Sequence, residues 1–89
     1  MPAGPESLRL FQALDPDPER AGEEYLKLHT RLTRYFASRG SAIPDELADR
    51  TLDRVARRLE TEVIQSFPKY SMGVARRVYA EDRRGGAAT

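Results

Sequence analysis

The sequence contains no cysteine, which excludes two kinds of site at once. Its 89 residues offer no thiol for a disulfide and no thiolate for a metal. Apolar residues occur only in short runs, far below the roughly 20 that a membrane-spanning helix needs. Residues 1–5 (MPAGP) lack the basic segment and apolar run of a secretion signal. We therefore expect a cytoplasmic protein with no membrane partner.

Neither sign of charge predominates. Lys and Arg number 15 and Asp and Glu number 14, so the formal net charge is only +1. A balance this close to zero does not mark the chain as a nucleic-acid binder. Any charged binding surface must therefore come from how the charges are distributed. The length predicts one domain, residues 1–89, whose small core has to be packed economically.

Groups suited to catalysis are also scarce. The single histidine, His29, lies in a helical pattern, where a lone histidine is usually a boundary residue. The short motifs of zinc proteases, nucleotide-binding glycine loops and serine hydrolases are missing. Four carboxylates lie among charged neighbours, as on a solvated helix face: Glu23, Glu24, Glu60 and Glu62. We expect no catalytic residues, no metal and no other cofactor.

Proline and glycine divide the chain into four helical segments. Asp17 and Pro18 are suited to the cap and the first residue of the second helix, and Gly40 is suited to its C-terminal cap. Pro44 and Pro68 lie at the starts of the third and fourth. The segments span residues 6–14, 19–39, 43–62 and 67–84.

Each segment carries an apolar stripe at helical spacing. The stripes comprise Leu8, Phe11 and Leu14; Tyr25, Leu28, Leu32, Tyr35 and Phe36; Leu47, Ala48, Thr51, Leu52, Val55, Ala56, Leu59 and Val63; and Tyr70, Val74, Ala75, Val78 and Tyr79. No alternating pattern typical of strands occurs. The prediction is an all-α fold, a small bundle of three longer helices with a short leading helix. Residues 1–5 and 85–89 are expected to be flexible.

The third segment begins with acidic side chains along one edge. Asp45, Asp49 and Asp53 follow one another at i, i+4 and i+8, and Glu46 adjoins them. One interpretation is a solvated face, salt-bridged to arginines one turn later. The other is a docking edge for a basic partner.

The fourth segment combines cations with aromatic rings. Arginines neutralise phosphates and aromatic rings stack on unpaired bases, a combination typical of surfaces that hold a single strand. The alternative is structural, because the tyrosines also fit the apolar stripe and arginines favour helix C-terminal ends. Gly73 costs this helix about 1 kcal/mol relative to alanine. We therefore expect another group to approach closely at that position.

Two motifs, in this order, resemble region two of bacterial RNA polymerase sigma factors of the extracytoplasmic-function type. Residues 46–52 (ELADRTL) resemble the acidic motif D-L-V-Q-E-x-F. Residues 70–77 (YSMGVARR) resemble W-L-x-x-I-A-R-N, and residues 78–84 resemble the basic tail that follows it. The resemblance covers the second to fourth segments, most of the chain.

The resemblance implies a module of transcription initiation. In that family the acidic helix binds the clamp helices of the polymerase β′ subunit, and the next helix helps to hold the minus-ten promoter element as a single strand. The implied polymerase-binding residues are Glu46, Leu47, Asp49, Arg50, Leu52 and Asp53. The implied DNA-binding residues are Lys69, Tyr70, Arg76, Arg77, Tyr79, Arg83 and Arg84.

The chain departs from the family pattern at two of these positions. Arg50 stands where members usually carry an acid, and Arg77 stands where many carry the asparagine of a base pocket. No helix-turn-helix segment follows region two in this sequence. We therefore expect either a partner chain that recognises an upstream promoter element or a longer factor of which this chain is a fragment.

A rival hypothesis from another class stays open: a small helical interaction or assembly module with no nucleic acid partner. Such a module would use the acidic edge, or would self-associate through Tyr25, Tyr35 and Phe36 if these are exposed. Burial of both Tyr70 and Tyr79 would favour it, since no stacking surface would then remain.

Overall fold

The chain folds into four helices that pack as a bundle. The structure, a computed structural model, describes the backbone of residues 5–88 and the side chains of residues 8–85. The helices are α1 (Pro5–Leu14), α2 (Pro18–Ser38), α3 (Pro44–Arg58) and α4 (Phe67–Ala88). Residues 5–88 contain no strand, so the all-α prediction is confirmed. Within them no helix combines the length and apolarity needed to cross a membrane.

Local sequence signals fix both ends of α2. At its start the Asp17 carboxylate accepts a hydrogen bond from the Glu19 N–H at 3.0 Å, and Pro18 is the first helical residue. At its end Gly40 has φ +85°, the left-handed region that favours glycine. The N–H groups of Gly40 and Ser41 donate to the carbonyls of residues 37 and 36 at 3.0 and 3.1 Å. This pair of bonds is a Schellman motif, which satisfies carbonyls that the helix end leaves free.

The core is a single cluster to which every helix contributes. α2 and α3 each pack against the three other helices. The buried residues are Leu10 from α1; Leu28, Leu32 and Phe36 from α2; Leu47, Ala48, Leu52, Val55 and Ala56 from α3; and Ala75 and Val78 from α4. The buried Thr51 hydroxyl donates to the Leu47 carbonyl at 2.8 Å, so this polar group costs little inside the core.

The apolar face of α1 differs from the expected one. Leu10 is 1% exposed, whereas Leu8 is 56% exposed. Phe11 and Leu14 are half-buried, and the Phe11 ring lies 4.7 Å from that of Tyr25. The assignment of Leu8 to the core was therefore wrong. So short a helix offers two apolar pairs at helical spacing, Leu10 with Leu14 and Leu8 with Phe11. Tertiary packing decides which pair faces the core.

Two helix ends also lie away from their expected positions. α3 ends at Arg58 rather than at residue 62, and i to i+3 hydrogen bonds tighten the turn over residues 59–61. Val63 is 91% exposed, so its place in the apolar stripe was wrong. α4 continues as helix to Ala88, past the expected boundary at residue 84. Residues 1–4 and 89 of the ends expected to be flexible lie outside the described residues.

The contrast between Leu10 and Leu8 can be measured directly. We expect Leu10→Ala to lower the free energy of unfolding by about 2–5 kcal/mol, because it opens a cavity in the core. Leu8→Ala removes the same atoms from the surface of the same helix and should cost about 0.5 kcal/mol or less. Urea unfolding followed by circular dichroism gives both values. Similar losses for the two variants would contradict the packing of α1.

Candidate protein-docking and nucleic-acid surfaces

The acidic side chains at the start of α3 form an exposed ridge. We call Asp45, Glu46, Asp49 and Asp53 the acidic edge; all four are solvent-exposed. They lie on the side of α3 opposite the buried Leu47 and Val55, because successive residues turn by about 100° around a helix. The packing of α3 therefore holds four carboxylates in one region of the surface.

Part of the acidic edge is paired with arginines of the same helix. Glu46 pairs with Arg50 at 3.4 Å and Asp53 with Arg57 at 3.5 Å, both at i, i+4. These pairs confirm that the face is salt-bridged. Exposed pairs of this kind contribute only about 0.3–0.5 kcal/mol, so a basic partner can compete for the carboxylates. The pairing does not exclude docking.

His29 joins the acidic edge to α2. Its Nε2 lies 2.9 Å from the Asp49 Oδ1, and its Nδ1 lies 3.4 Å from the Thr33 hydroxyl. The imidazole is half-buried, as expected for a boundary residue. Burial raises the pKa of the neighbouring Tyr25 hydroxyl, and the negative charges of Asp49 and Asp53 raise this pKa further. The field of the acidic edge therefore extends to the surface of α2.

Two of the residues implied in polymerase binding lie in the core. Leu47 is 0% exposed and Leu52 is 2% exposed. Both were wrong as contact residues, because they face the other helices and hold α3 in the bundle. The remaining exposed members of the predicted set are Glu46, Asp49, Arg50 and Asp53.

Cations form a ridge along α4. Lys69, Arg76 and Arg83 recur at i, i+7 and i+14, so they form one row about 21 Å long at 1.5 Å per residue. Arg77 and Arg84 form a second row beside it, and all five are exposed. Within residues 8–85 no carboxylate pairs with Lys69, Arg76 or Arg77. These three charges are available to an anionic partner.

Tyr79 is occupied by contacts within the bundle. Its hydroxyl donates to the Arg39 carbonyl at 3.1 Å and accepts from the Arg83 guanidinium at 3.2 Å. The Arg83 guanidinium also covers the ring at 5.6 Å from its centre, and the Tyr35 ring meets it edge-on at 6.5 Å. These contacts connect α4 to the end of α2, and the role of the half-buried Tyr79 in DNA binding stays a prediction.

Tyr70 differs from Tyr79 because part of its ring remains accessible. One side packs against the core, and the rest lines a cavity of about 380 Å³ between α3 and α4. We call this cavity the α3–α4 groove. Its lining residues are Arg54, Arg57, Arg58, Thr61, Tyr70, Val74 and Arg77. The two tyrosines are thus not both buried, which was the condition that would have favoured a module without a nucleic acid partner.

Sequence reasoning missed the three α3 arginines of the α3–α4 groove. Arginines of the third segment were considered only as salt-bridge partners of the acidic side chains, and not as the lining of a groove. The groove exists because α4 packs beside this face of α3. Arg54 connects the two helices through a two-point ion pair with Glu81 of α4, in which one N–O distance is 3.0 Å. The sequence does show Arg54 and Arg58 at i and i+4 on α3. It does not show that they face Tyr70 and Arg77, because this depends on how the two helices pack.

The expectation of a close approach at Gly73 was wrong, and Phe36 does not meet the condition of exposure set for self-association. A side chain at position 73 would meet no other atom within 4 Å, so no group approaches Gly73. Gly73 instead lies on the exposed side of α4. Phe36 is 0% exposed and cannot contribute to self-association, while Tyr25 and Tyr35 are half-buried against other rings.

Comparison with known proteins provides no independent identification. No protein-family model, curated protein sequence or solved structure matches this chain. The described residues also hold no group of three or more His, Asp or Glu side chains arranged to bind a metal ion. The two sequence motifs and the surfaces described above are therefore the features from which a function can be proposed.

The Arg54–Glu81 pair predicts a pH dependence of stability. The hydrogen-bonded Arg54 guanidinium holds the pKa of Glu81 below its ordinary value of 4.5. A lowered folded-state pKa means that the pair stabilises the fold above pH 4.5 and loses this effect as the pH falls through the folded pKa. Glu81→Gln should therefore lower the melting temperature slightly at neutral pH, and the difference from the parent should shrink in acid.

Thermal unfolding followed by circular dichroism, from neutral pH to below pH 4.5, measures this difference in melting temperature. Glu23→Gln is the matched control, because Glu23 is exposed and has no ion pair among the described residues. A difference between Glu81→Gln and the parent that stays constant with pH would show that the ion pair is not its source.

Proposed function

We propose that this chain is a sigma region-two-like module that docks on the clamp helices of the RNA polymerase β′ subunit during transcription initiation. The observation that carries the proposal is the acidic edge. α3 is packed on three sides by the other helices and keeps these carboxylates exposed in a fixed arrangement. The motifs at residues 46–52 and 70–77 occur on the two helices that the sigma resemblance requires.

The proposed docking contact is mainly electrostatic. Glu46, Asp49 and Asp53 would meet basic side chains of the clamp helices, and Arg50 would meet a carboxylate or pair with Glu46 as it does in the free protein. Charge complementarity of this kind mainly raises the association rate and fixes the orientation of the partners. Leu47 would act indirectly, by holding α3 in place from the core.

The proposed contact with promoter DNA uses the basic ridge of α4 and Tyr70. With a net charge of +1, the domain exerts little long-range attraction on DNA, so affinity has to come from local cations. The domain alone would therefore bind duplex DNA weakly. Contact with the minus-ten element would follow docking, once the polymerase exposes the strand.

A second candidate function, a protein-interaction module without nucleic acid, is favoured by one observation. A wide cavity of about 720 Å³ extends over α2, with an apolar lining that includes Leu14, Leu26 and Phe67 and with Arg31 and Arg34 among its charged residues. Leu26 is 65% exposed there. An apolar patch rimmed by charged residues is typical of a surface that another protein covers.

The acidic edge provides the decisive experiment for the first proposal. Asp49→Lys combined with Asp53→Lys should weaken capture of a purified β′ clamp-helix fragment at least about tenfold, because two attractive charges become repulsive. Binding measured by surface plasmon resonance should also weaken steeply with salt in the parent. The variant's circular dichroism should remain helical.

Two controls separate docking from other effects of these changes. Glu23→Lys combined with Glu24→Lys makes the same change of net charge on α2 and should leave capture within about twofold of the parent. His29→Gln removes the imidazole contact to Asp49 but keeps both carboxylates. Undiminished capture by the Asp49/Asp53 variant would refute the docking assignment. It would favour the second candidate function, in which a protein binds at the cavity over α2.

A further inference from the structure

Two rows of side chains face each other across the α3–α4 groove. Tyr70, Val74 and Arg77 lie at i, i+4 and i+7, on the side of α4 that faces α3. Arg54 and Arg58 lie at i and i+4 on the opposing side of α3. The arrangement brings guanidinium groups from two helices and one aromatic ring to the same cavity.

The arginines of the groove differ in how firmly they are held. Arg77 is exposed and pairs with no carboxylate among residues 8–85. Arg58 pairs with Glu62 at 3.0 Å, but both side chains are about half exposed and Glu62 lies beyond the end of α3. Such a pair is weak and readily exchanged. Arg54, by contrast, is fixed by Glu81, so we expect it to shape the groove rather than move.

The Tyr70 ring is oriented before any ligand arrives. Because one side of it packs against the core, it loses little conformational freedom when another ring stacks on its accessible part. Planar guanidinium groups such as that of Arg77 bind phosphate oxygens through two parallel hydrogen bonds. A cavity of about 380 Å³ is within the range of small-ligand sites, roughly 300–1,000 Å³.

We propose that the α3–α4 groove binds one nucleotide unit, with its phosphate held by Arg58 and Arg77 and its base against Tyr70. The nucleotide can come from a single strand or be free in solution, since both present the same phosphate and aromatic ring. As a strand contact, the inference rests on the proposed function and adds Arg58 of α3 to it. The path of the strand would then include the groove between α3 and α4 as well as the exposed cations of α4.

The test compares arginines inside and outside the groove on the full chain. Fluorescence anisotropy of a short labelled oligothymidine at low salt measures strand binding, and unlabelled ATP and inorganic pyrophosphate serve as competitors. Arg77→Gln should weaken binding roughly tenfold, because a charge-assisted hydrogen bond to phosphate is lost. Arg58→Gln should act in the same direction. Arg20→Gln, at an exposed position of α2 away from both proposed binding surfaces, should stay within about twofold.

The aromatic part of the site has its own pair of variants. Tyr70→Phe keeps a ring and should bind like the parent, whereas Tyr70→Leu removes stacking and should weaken binding roughly tenfold. Circular dichroism and the melting temperature establish that Tyr70→Leu remains folded. If it does not, Tyr70→His retains a smaller ring that can stack and should bind with intermediate affinity.

The outcomes also separate the sources of the nucleotide. If ATP displaces the oligothymidine at concentrations where pyrophosphate does not, the groove also binds free nucleotides. If the oligothymidine binds and ATP does not displace it, the groove binds the strand only. Absence of binding by the parent, or an equal loss with Arg20→Gln and Arg77→Gln, would overturn the proposal. Capture of the clamp-helix fragment, measured on the same variants, should be unaffected by Arg77→Gln. If the parent binds the oligonucleotide but does not capture the clamp-helix fragment, the docking proposal is refuted and the groove proposal stands.

Discussion

Burial of the apolar face of α3 is the constraint on which the other features depend. Val55 and Leu47 are fully buried, and α1, α2 and α4 all pack against this helix. Removing that face from water provides much of the drive for folding in so small a domain. It also fixes the rotation of α3 about its axis, and this rotation decides which of its charged residues face which neighbour.

The charges of α3 are separated around its circumference, and the bundle turns this separation into two surfaces. The acidic edge lies towards α2, where His29 contacts Asp49. The arginines lie towards α4, where Arg54 holds Glu81. A domain with almost no net charge thereby carries one anionic and one cationic surface on a single helix. The Asp53–Arg57 pair joins the two surfaces, because Asp53 belongs to the acidic edge and Arg57 lines the α3–α4 groove.

Local signals in the sequence were sufficient for the helices but not for the contacts between them. Asp17, Pro18 and Gly40 act through bonds to residues close in sequence, so the ends of α2 could be predicted from them. The choice between Leu8 and Leu10 depends on where a short helix lies across the bundle, which no local pattern specifies. The site followed the same rule: the exposed carboxylates were predictable, whereas the groove beside Tyr70 required the packing of two helices.

The hydrogen bond from Tyr79 to the Arg39 carbonyl has a consequence for how this fold can vary. The acceptor is a backbone oxygen, so the bond itself does not depend on which side chain occupies position 39. It depends instead on the path of the chain at the end of α2, where Gly40 turns away from the helix. Positions 40 and 79 are therefore linked through the backbone although they are distant in sequence. Substitution at either would loosen the attachment of α4 to α2, while position 39 stays free to diverge with respect to this contact.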